Sequence, residues 1–194
     1  MDDSKINLLR SELGDTRIKL DVELGEYLQS TKTAKAAALF IVATQLELIK
    51  VLDLATELKI PWLLIGAGSK VVLSQTEFAG LVIKNRSSEI RIYSIKGAVS
   101  KTGIGIKEAM LQVDSGVNLK KMADYCNKQS LIGFENLMTV PGTIGGSILV
   151  NKDLRDKVSQ VRVWTTSGIE DKILDRVKRD DIILSVVVKL KRTL

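Results

Sequence analysis

The apolar positions of this chain alternate between two spacings, and that alternation outlines its elements. Residues 1–30 carry Ile6, Leu9 and Leu13 at helical intervals and read as one or two short amphipathic segments, an N-terminal extension to the rest of the chain. Residues 36–43 form an uninterrupted apolar run, which suits a strand covered on both faces. From Thr44 the period changes. Leu48, Leu52, Ala55 and Leu58 recur every three or four positions until Pro61, predicting a helix. Residues 62–65 and 71–73 read as strands on either side of a glycine loop, with further strands at 81–84, 89–95 and 110–114. Asn118 is placed to cap a helix through 119–129, with Leu119, Met122, Ala123 and Cys126 on its inward face. A glycine-rich turn at 140–147 leads into a short helical segment. Strand patterns then return at 158–165 and 182–190, with a turn at Ser167 and Gly168 between them. The sum is an α+β chain without an internal repeat.

Composition narrows the chemistry. Charged residues make up 27% of the 194 and are interspersed with a 45% hydrophobic share, so the whole chain is expected to fold. Histidine is absent, which removes the Ser-His-Asp and Cys-His nucleophile arrangements and any histidine-based metal site. Redox chemistry here would lean on a cofactor. The single cysteine, Cys126, excludes an internal disulfide and reads as a small apolar residue on a helix face. The acidic, polar amino terminus lacks the order of a signal peptide, and no apolar run is long enough to span a bilayer, so a cytoplasmic location without membrane contact is expected. A net charge of +6 raises the question of nucleic acid. The basic pairs Lys120-Lys121 and Lys178-Arg179 are isolated, and aromatics are only 4%, so the positive field is assigned to an anionic nucleotide instead.

Two glycine-rich stretches carry candidate chemistry. Gly66, Ala67, Gly68, Ser69 and Lys70 lie between two apolar segments, where glycines let successive N–H groups converge on an anion such as a pyrophosphate. The dinucleotide fingerprint of three glycines opening a helix is not met, because Val71 stands at the third position. Pro141, Gly142, Thr143, Ile144, Gly145, Gly146 and Ser147, followed by Asn151, combine a fixed turn, missing side chains and two hydroxyls. A flat ring pressed against main chain and tight helix packing both account for them. Gly103 and Gly105 read as a hairpin or bulge.

The order of these pieces resembles the FAD domain of the UDP-N-acetylenolpyruvoylglucosamine reductase family, within the flavoprotein superfamily of vanillyl-alcohol oxidase and p-cresol methylhydroxylase. The resemblance rests on Thr31-Lys32-Thr33 before the apolar run, on IPWLLIGAGSKVVLSQTEFAGLVIKN, on VDSGVNLKKMADYCNKQSLIGFENLMTVPGTIGGSILVN, and on the closing IILSVVVKL. It implies an α+β, two-lobed FAD-binding domain of the p-cresol-methylhydroxylase type, with lobes at 31–88 and 89–194 clasping the cofactor and no substrate domain. It further implies that residues 66–70 cradle the pyrophosphate, that Ser115, Gly116, Pro141, Gly142, Thr143, Gly145 and Gly146 line the flavin's path, that Asn151 belongs to the same site, and that Glu135 is structural. FAD would be held noncovalently, with NADPH as reductant, a nucleotide-sugar substrate, and a separate protein supplying a substrate domain. The chain also departs from the family pattern. Ala34-Lys35 replaces paired glycines, Lys70 replaces an asparagine, residues 152–156 replace a small-residue turn, and the segment expected to hold a catalytic Tyr-Arg-x-Ser reads DRVKRDD. No catalytic residue is assigned. The resemblance therefore implies a divergent or minimal flavin-dependent oxidoreductase, or a noncatalytic flavin-binding or interaction module.

Overall fold

The computed structural model describes residues 2–29, 34–69, 71, 73, 75–100 and 103–192. Thr31, Lys32, Thr33 and Lys70 therefore lie outside the described residues. The chain divides into two units, Met1–Ser87 and Ser88–Leu194.

In the first unit, helix α1 (Asp3–Leu13) starts where the Asp2 carboxylate accepts from the Ser4 amide, and it buries Leu9 and Leu13. Strand β1 (Ile18–Glu23) pairs antiparallel with β2 (Lys35–Val42). Residues 1–30, expected as an extension, thus supply a helix and an edge strand of this unit. Helix α2 (Gln45–Glu57) is capped by Thr44, whose hydroxyl accepts from the Glu47 amide, and it buries Leu48, Val51, Leu52 and Ala55. Strand β3 (Trp62–Ile65) and strand β4 (Glu77–Asn85) complete the unit. The sheet order is β1-β2-β4-β3, with β4 parallel to both neighbours. The apolar run of β2 is explained by its place between β1 and β4. The strand expected at 71–73 does not form at its described positions. Val71 and Leu73 instead pack from the loop onto a cluster of Leu24, Tyr27, Leu28, Ile65 and Val82, which accounts for their apolar character without a ladder.

The second unit is an antiparallel sheet. Strands β5 (Ile90–Ser100) and β6 (Gly103–Asp114) form a hairpin with Ser100 opposite Gly103 and Ala98 opposite Gly105. Helix α3 (Leu119–Lys128) begins at Asn118, whose side chain accepts from the Lys120 amide, and buries the four residues expected. After β7 (Leu131–Ile132) come two single-turn helices, α4 (Ile144–Ser147) and α5 (Lys152–Arg155), then β8 (Val158–Thr165), β9 (Gly168–Lys172) and β10 (Ile182–Arg192). The order is β5-β6-β10-β8-β9, with β7 added on β10. One core gathers Leu111, Leu119, Met122, Phe134, Ile144, Ile148 and Val161 beneath α3.

Candidate functional site

The loop after β3 leaves the C-terminal end of a parallel strand, the end at which open α/β sheets present main chain to ligands. Gly66, Ala67 and Ser69 are half-buried and Gly68 is buried. Gly68 has φ of 79°, and a Cβ built there would fall on the Tyr27 carbonyl oxygen and stand 3.2 Å from Leu28 Cα. The Gln29 amide donates to the Gly68 carbonyl at 3.1 Å. The glycine is thus needed for two main chains to cross, a demand internal to the protein rather than one made by a ligand. Lys84, paired across the ladder with Ile65, is only 7% exposed, and its ammonium donates to the same Tyr27 carbonyl at 3.3 Å.

In the second unit the two stretches expected to share a ligand are laced together. The Gly145 amide donates to the Ser115 carbonyl at 2.8 Å, and the Ile144 amide to the Val117 carbonyl at 2.9 Å. The Leu119 amide donates to the Gly142 carbonyl at 3.1 Å, and the Ser115 amide is held by Leu184. Thr143 caps α4, its hydroxyl accepting from the Gly146 amide. The glycines separate by role. A Cβ on Gly145 would lie 2.8 Å from Ser115 Cβ, and one on Gly142, where φ is 143°, would lie 2.9 Å from Ser147 Oγ. On Gly146 it would meet nothing closer than Thr143 Oγ1 at 3.5 Å. Pro141 and Gly146 are exposed. Asn151 caps α5 by accepting from the Leu154 amide at 3.0 Å, so its side-chain oxygen already serves the fold. Both oxygens of Glu135 accept from the Gly133 amide at 2.9 Å. Main-chain amides, its own included, hold that carboxyl below the usual range. The thiol of buried Cys126 is pushed up to about 12, first by burial and then by Glu135, which leaves it inert.

Several polar groups carry little or no sequence signal beyond their residue type. Arg162 grips Asp171 through two hydrogen bonds, 2.9 and 3.1 Å, across β8 and β9. On a neighbouring part of that sheet Arg91 donates to Gln112 at 3.2 Å, and Gln112 to the buried hydroxyl of Ser185 at 3.3 Å. Where the resemblance places Tyr-Arg-x-Ser, the chain makes a 3-10 turn, Leu174–Arg176. Asp181 just beyond it accepts from the Lys178 amide at 2.7 Å and from Lys172 at 2.9 Å. The Arg162 hydrogen bond holds Asp171 below the ordinary carboxylate range. Burial would push Asp181 up, but the Lys178 amide and Lys172 outweigh it and hold this carboxyl down as well.

Acid should therefore weaken the second unit. Carboxyls with depressed folded values contribute stability above their unfolded range, near pH 4, and lose it as pH falls through the lower folded values. Glu135, Asp171 and Asp181 are of this kind, whereas burial raises Asp114, which works in the opposite direction. The expected result is a urea midpoint that drops between about pH 4.5 and 2.5. A flat midpoint over that window would contradict these three hydrogen-bonding patterns.

Comparison with known proteins places this architecture. Residues 36–169 match the family described as FAD binding domain, so the chain belongs to that family. It is 29% identical over 171 residues to the UDP-N-acetylenolpyruvoylglucosamine reductase of Clostridioides difficile strain 630, covering 86% of this chain and 52% of that protein. Over 182 residues it is 26% identical to the reductase of the same name from Syntrophotalea carbinolica, covering 89% and 56%. The chain thus spans about half the length of the curated relatives it matches. The fold is that of p-cresol methylhydroxylase, solved with substrate bound (TM-score 0.68, 14% identity, covering 98% of this chain and 43% of that one). It is also that of the UDP-N-acetylenolpyruvylglucosamine reductase from Thermus caldophilus (TM-score 0.60, 21% identity, covering 91% and 62%).

The residues present fit the cofactor that names the family. Gly68, Gly142 and Gly145 are accounted for by contacts within the protein, but Gly146 is not. Beside it Ser147 Oγ, in a residue 2% exposed, has no hydrogen-bond partner among the described residues. A glycine that the fold does not require and a buried hydroxyl left unpaired both favour a ligand against this turn. Among the described residues no group of three or more Cys, Asp or Glu could hold a metal ion, and no helix is long and apolar enough to cross a membrane.

Proposed function

We propose that this chain binds FAD noncovalently and works as a flavin-dependent oxidoreductase related to the UDP-N-acetylenolpyruvoylglucosamine reductases. The observation that carries the reading is the family match over residues 36–169, which takes in both glycine-rich stretches, 66–70 and 141–147. In this reading the main-chain amides of Gly66, Ala67, Gly68 and Ser69, with Lys70, hold the diphosphate. Ser115, Gly116, Pro141, Gly142, Thr143, Gly145 and Gly146 lie along the flavin, and Asn151 supports that turn through its cap on α5. When bound, the flavin supplies the two-electron chemistry, and the protein positions it and excludes water. NADPH is the reductant and a nucleotide sugar the substrate. The lack of histidine removes the commonest covalent anchor.

A second reading, a noncatalytic flavin-binding or interaction module, is favoured by one observation. The segment DRVKRDD contains no serine, and Asp181 within it is already engaged by Lys172 and Lys178. A positioned acid is worth roughly 10²- to 10⁴-fold in such proton transfers, so its loss would leave binding without useful turnover.

The purified protein should show a flavin absorption band at one FAD per chain. Bleaching by NADPH, with reoxidation on adding the enolpyruvyl sugar nucleotide, selects the reductase. A stable flavin band without that turnover selects the module. A colourless protein that refuses excess FAD sinks both.

A further inference from the structure

Lys84 presents a physical problem that the described residues do not solve. It lies at the C-terminal end of β4, level with the residue that enters loop 66–69, and is 7% exposed. Its ammonium has three donors, and among the described residues one of them has a partner, the Tyr27 carbonyl at 3.3 Å. Among the described residues it forms no ion pair, and the charged group that acts on it is a like charge, Arg86. The sequence segments 27–34, 66–76 and 82–87 contain no aspartate or glutamate. A cation taken out of water without a counter-ion is costly, and proteins keep such groups where something else supplies the opposite charge.

We infer that Lys84 is the buried cation that receives the ligand's diphosphate, its spare N–H donors taking phosphate oxygens beside loop 66–69. The inference rests on the reading of that loop as the diphosphate site. Tyr27 is the geometric link: its carbonyl oxygen both accepts from Lys84 and marks where a Gly68 side chain would clash. The ammonium and the glycine bend therefore sit against one main-chain atom, and an anion seated on the bend has the positive charge beside it. Burial first, and Arg86 second, lower the lysine's pKa, as expected of a site whose charge balance is completed by a ligand.

The test compares wild type with Lys84→Met, which keeps the volume and removes the charge, and Lys84→Gln, which keeps a donor for Tyr27. Melting temperature is measured without flavin, and FAD affinity by fluorescence quenching. Lys84→Met should raise the melting temperature of the flavin-free protein, because an unpaired buried charge is gone, while weakening FAD binding by roughly 30-fold or more. Lys84→Gln should weaken FAD similarly, and Lys84→Arg should retain most of the affinity. FAD binding by both uncharged variants within about twofold of wild type overturns the assignment of Lys84 and leaves the loop reading standing. So does a loss of affinity that tracks a lower flavin-free melting temperature, which marks a structural lysine. Wild-type protein that binds no FAD instead defeats the reading on which the inference rests.

Discussion

Gly68→Val should strip the protein of flavin by breaking the loop before any ligand arrives. At φ of 79° a β-branched residue is strained by roughly 1–3 kcal/mol. Its Cβ would also fall on the Tyr27 carbonyl oxygen, and both partners are main chain, so no rotamer change relieves the contact. Overpacking of this kind costs a further ~1–3 kcal/mol. Together these take a large part of the stability of an ordinary domain, about 5–15 kcal/mol. The melting temperature should fall by many degrees and flavin should be lost on gel filtration. Retained stoichiometric flavin with an unchanged melting temperature would show that residues 27–29 and 66–69 do not cross as described.

That reason differs from the one the sequence suggests, and the difference shows what a sequence can carry. Two glycines between apolar segments announce a bend, but not what the bend passes. The partner, Tyr27, is far away along the chain in a stretch with no motif, and the Gln29 to Gly68 hydrogen bond is main chain to main chain, so neither leaves a residue-type signature. The same limit explains residues 71–73. Their β-branched and apolar character is legible, but it reflects Val71 and Leu73 packing on Leu24, Tyr27 and Leu28 rather than ladder formation. By contrast β2 is plain, because a strand with neighbours on both edges and cover on both faces must be apolar throughout.

In the second unit the helix α3 can be read almost residue by residue. Its cap is a local interaction and its four buried positions share one face. Strand β9 cannot, since GIEDK is mostly exposed and its pairing is fixed by β8 rather than by its own pattern. The polar pairs across the sheet are of the same kind. Arg162 and Asp171 are nine positions apart and meet only because β8 and β9 are in register. Ser185 offers a faint signal, a hydroxyl inside the apolar run IILSVVVKL, and it is answered by Gln112. Lys84 offers the same signal in the run LVIK, where a lysine stands next to last in a strand whose last six residues are buried.

The glycine turn gives the sharpest separation of cofactor binding from packing, because adjacent residues should respond in opposite ways. Gly145→Ala places a methyl carbon 2.8 Å from Ser115 Cβ and 3.2 Å from its carbonyl oxygen, against the segment that Gly145 itself hydrogen-bonds. It should destabilise the flavin-free protein by about 1–3 kcal/mol. Gly146→Ala meets only Thr143 Oγ1, at ordinary contact distance, and replaces a glycine inside a helical turn. It should leave the flavin-free protein unchanged or more stable by about 0.4–1 kcal/mol. If a flat ring lies against this turn, the added methyl holds it off, and FAD affinity should fall by roughly tenfold, the ~1.4 kcal/mol expected of a modest steric misfit. Flavin-free melting curves and FAD titrations of the two variants decide the matter. Gly146→Ala with lower flavin-free stability and undiminished FAD affinity would mean that the turn is glycine-rich for packing alone, and the flavin would have to be sought elsewhere in the chain.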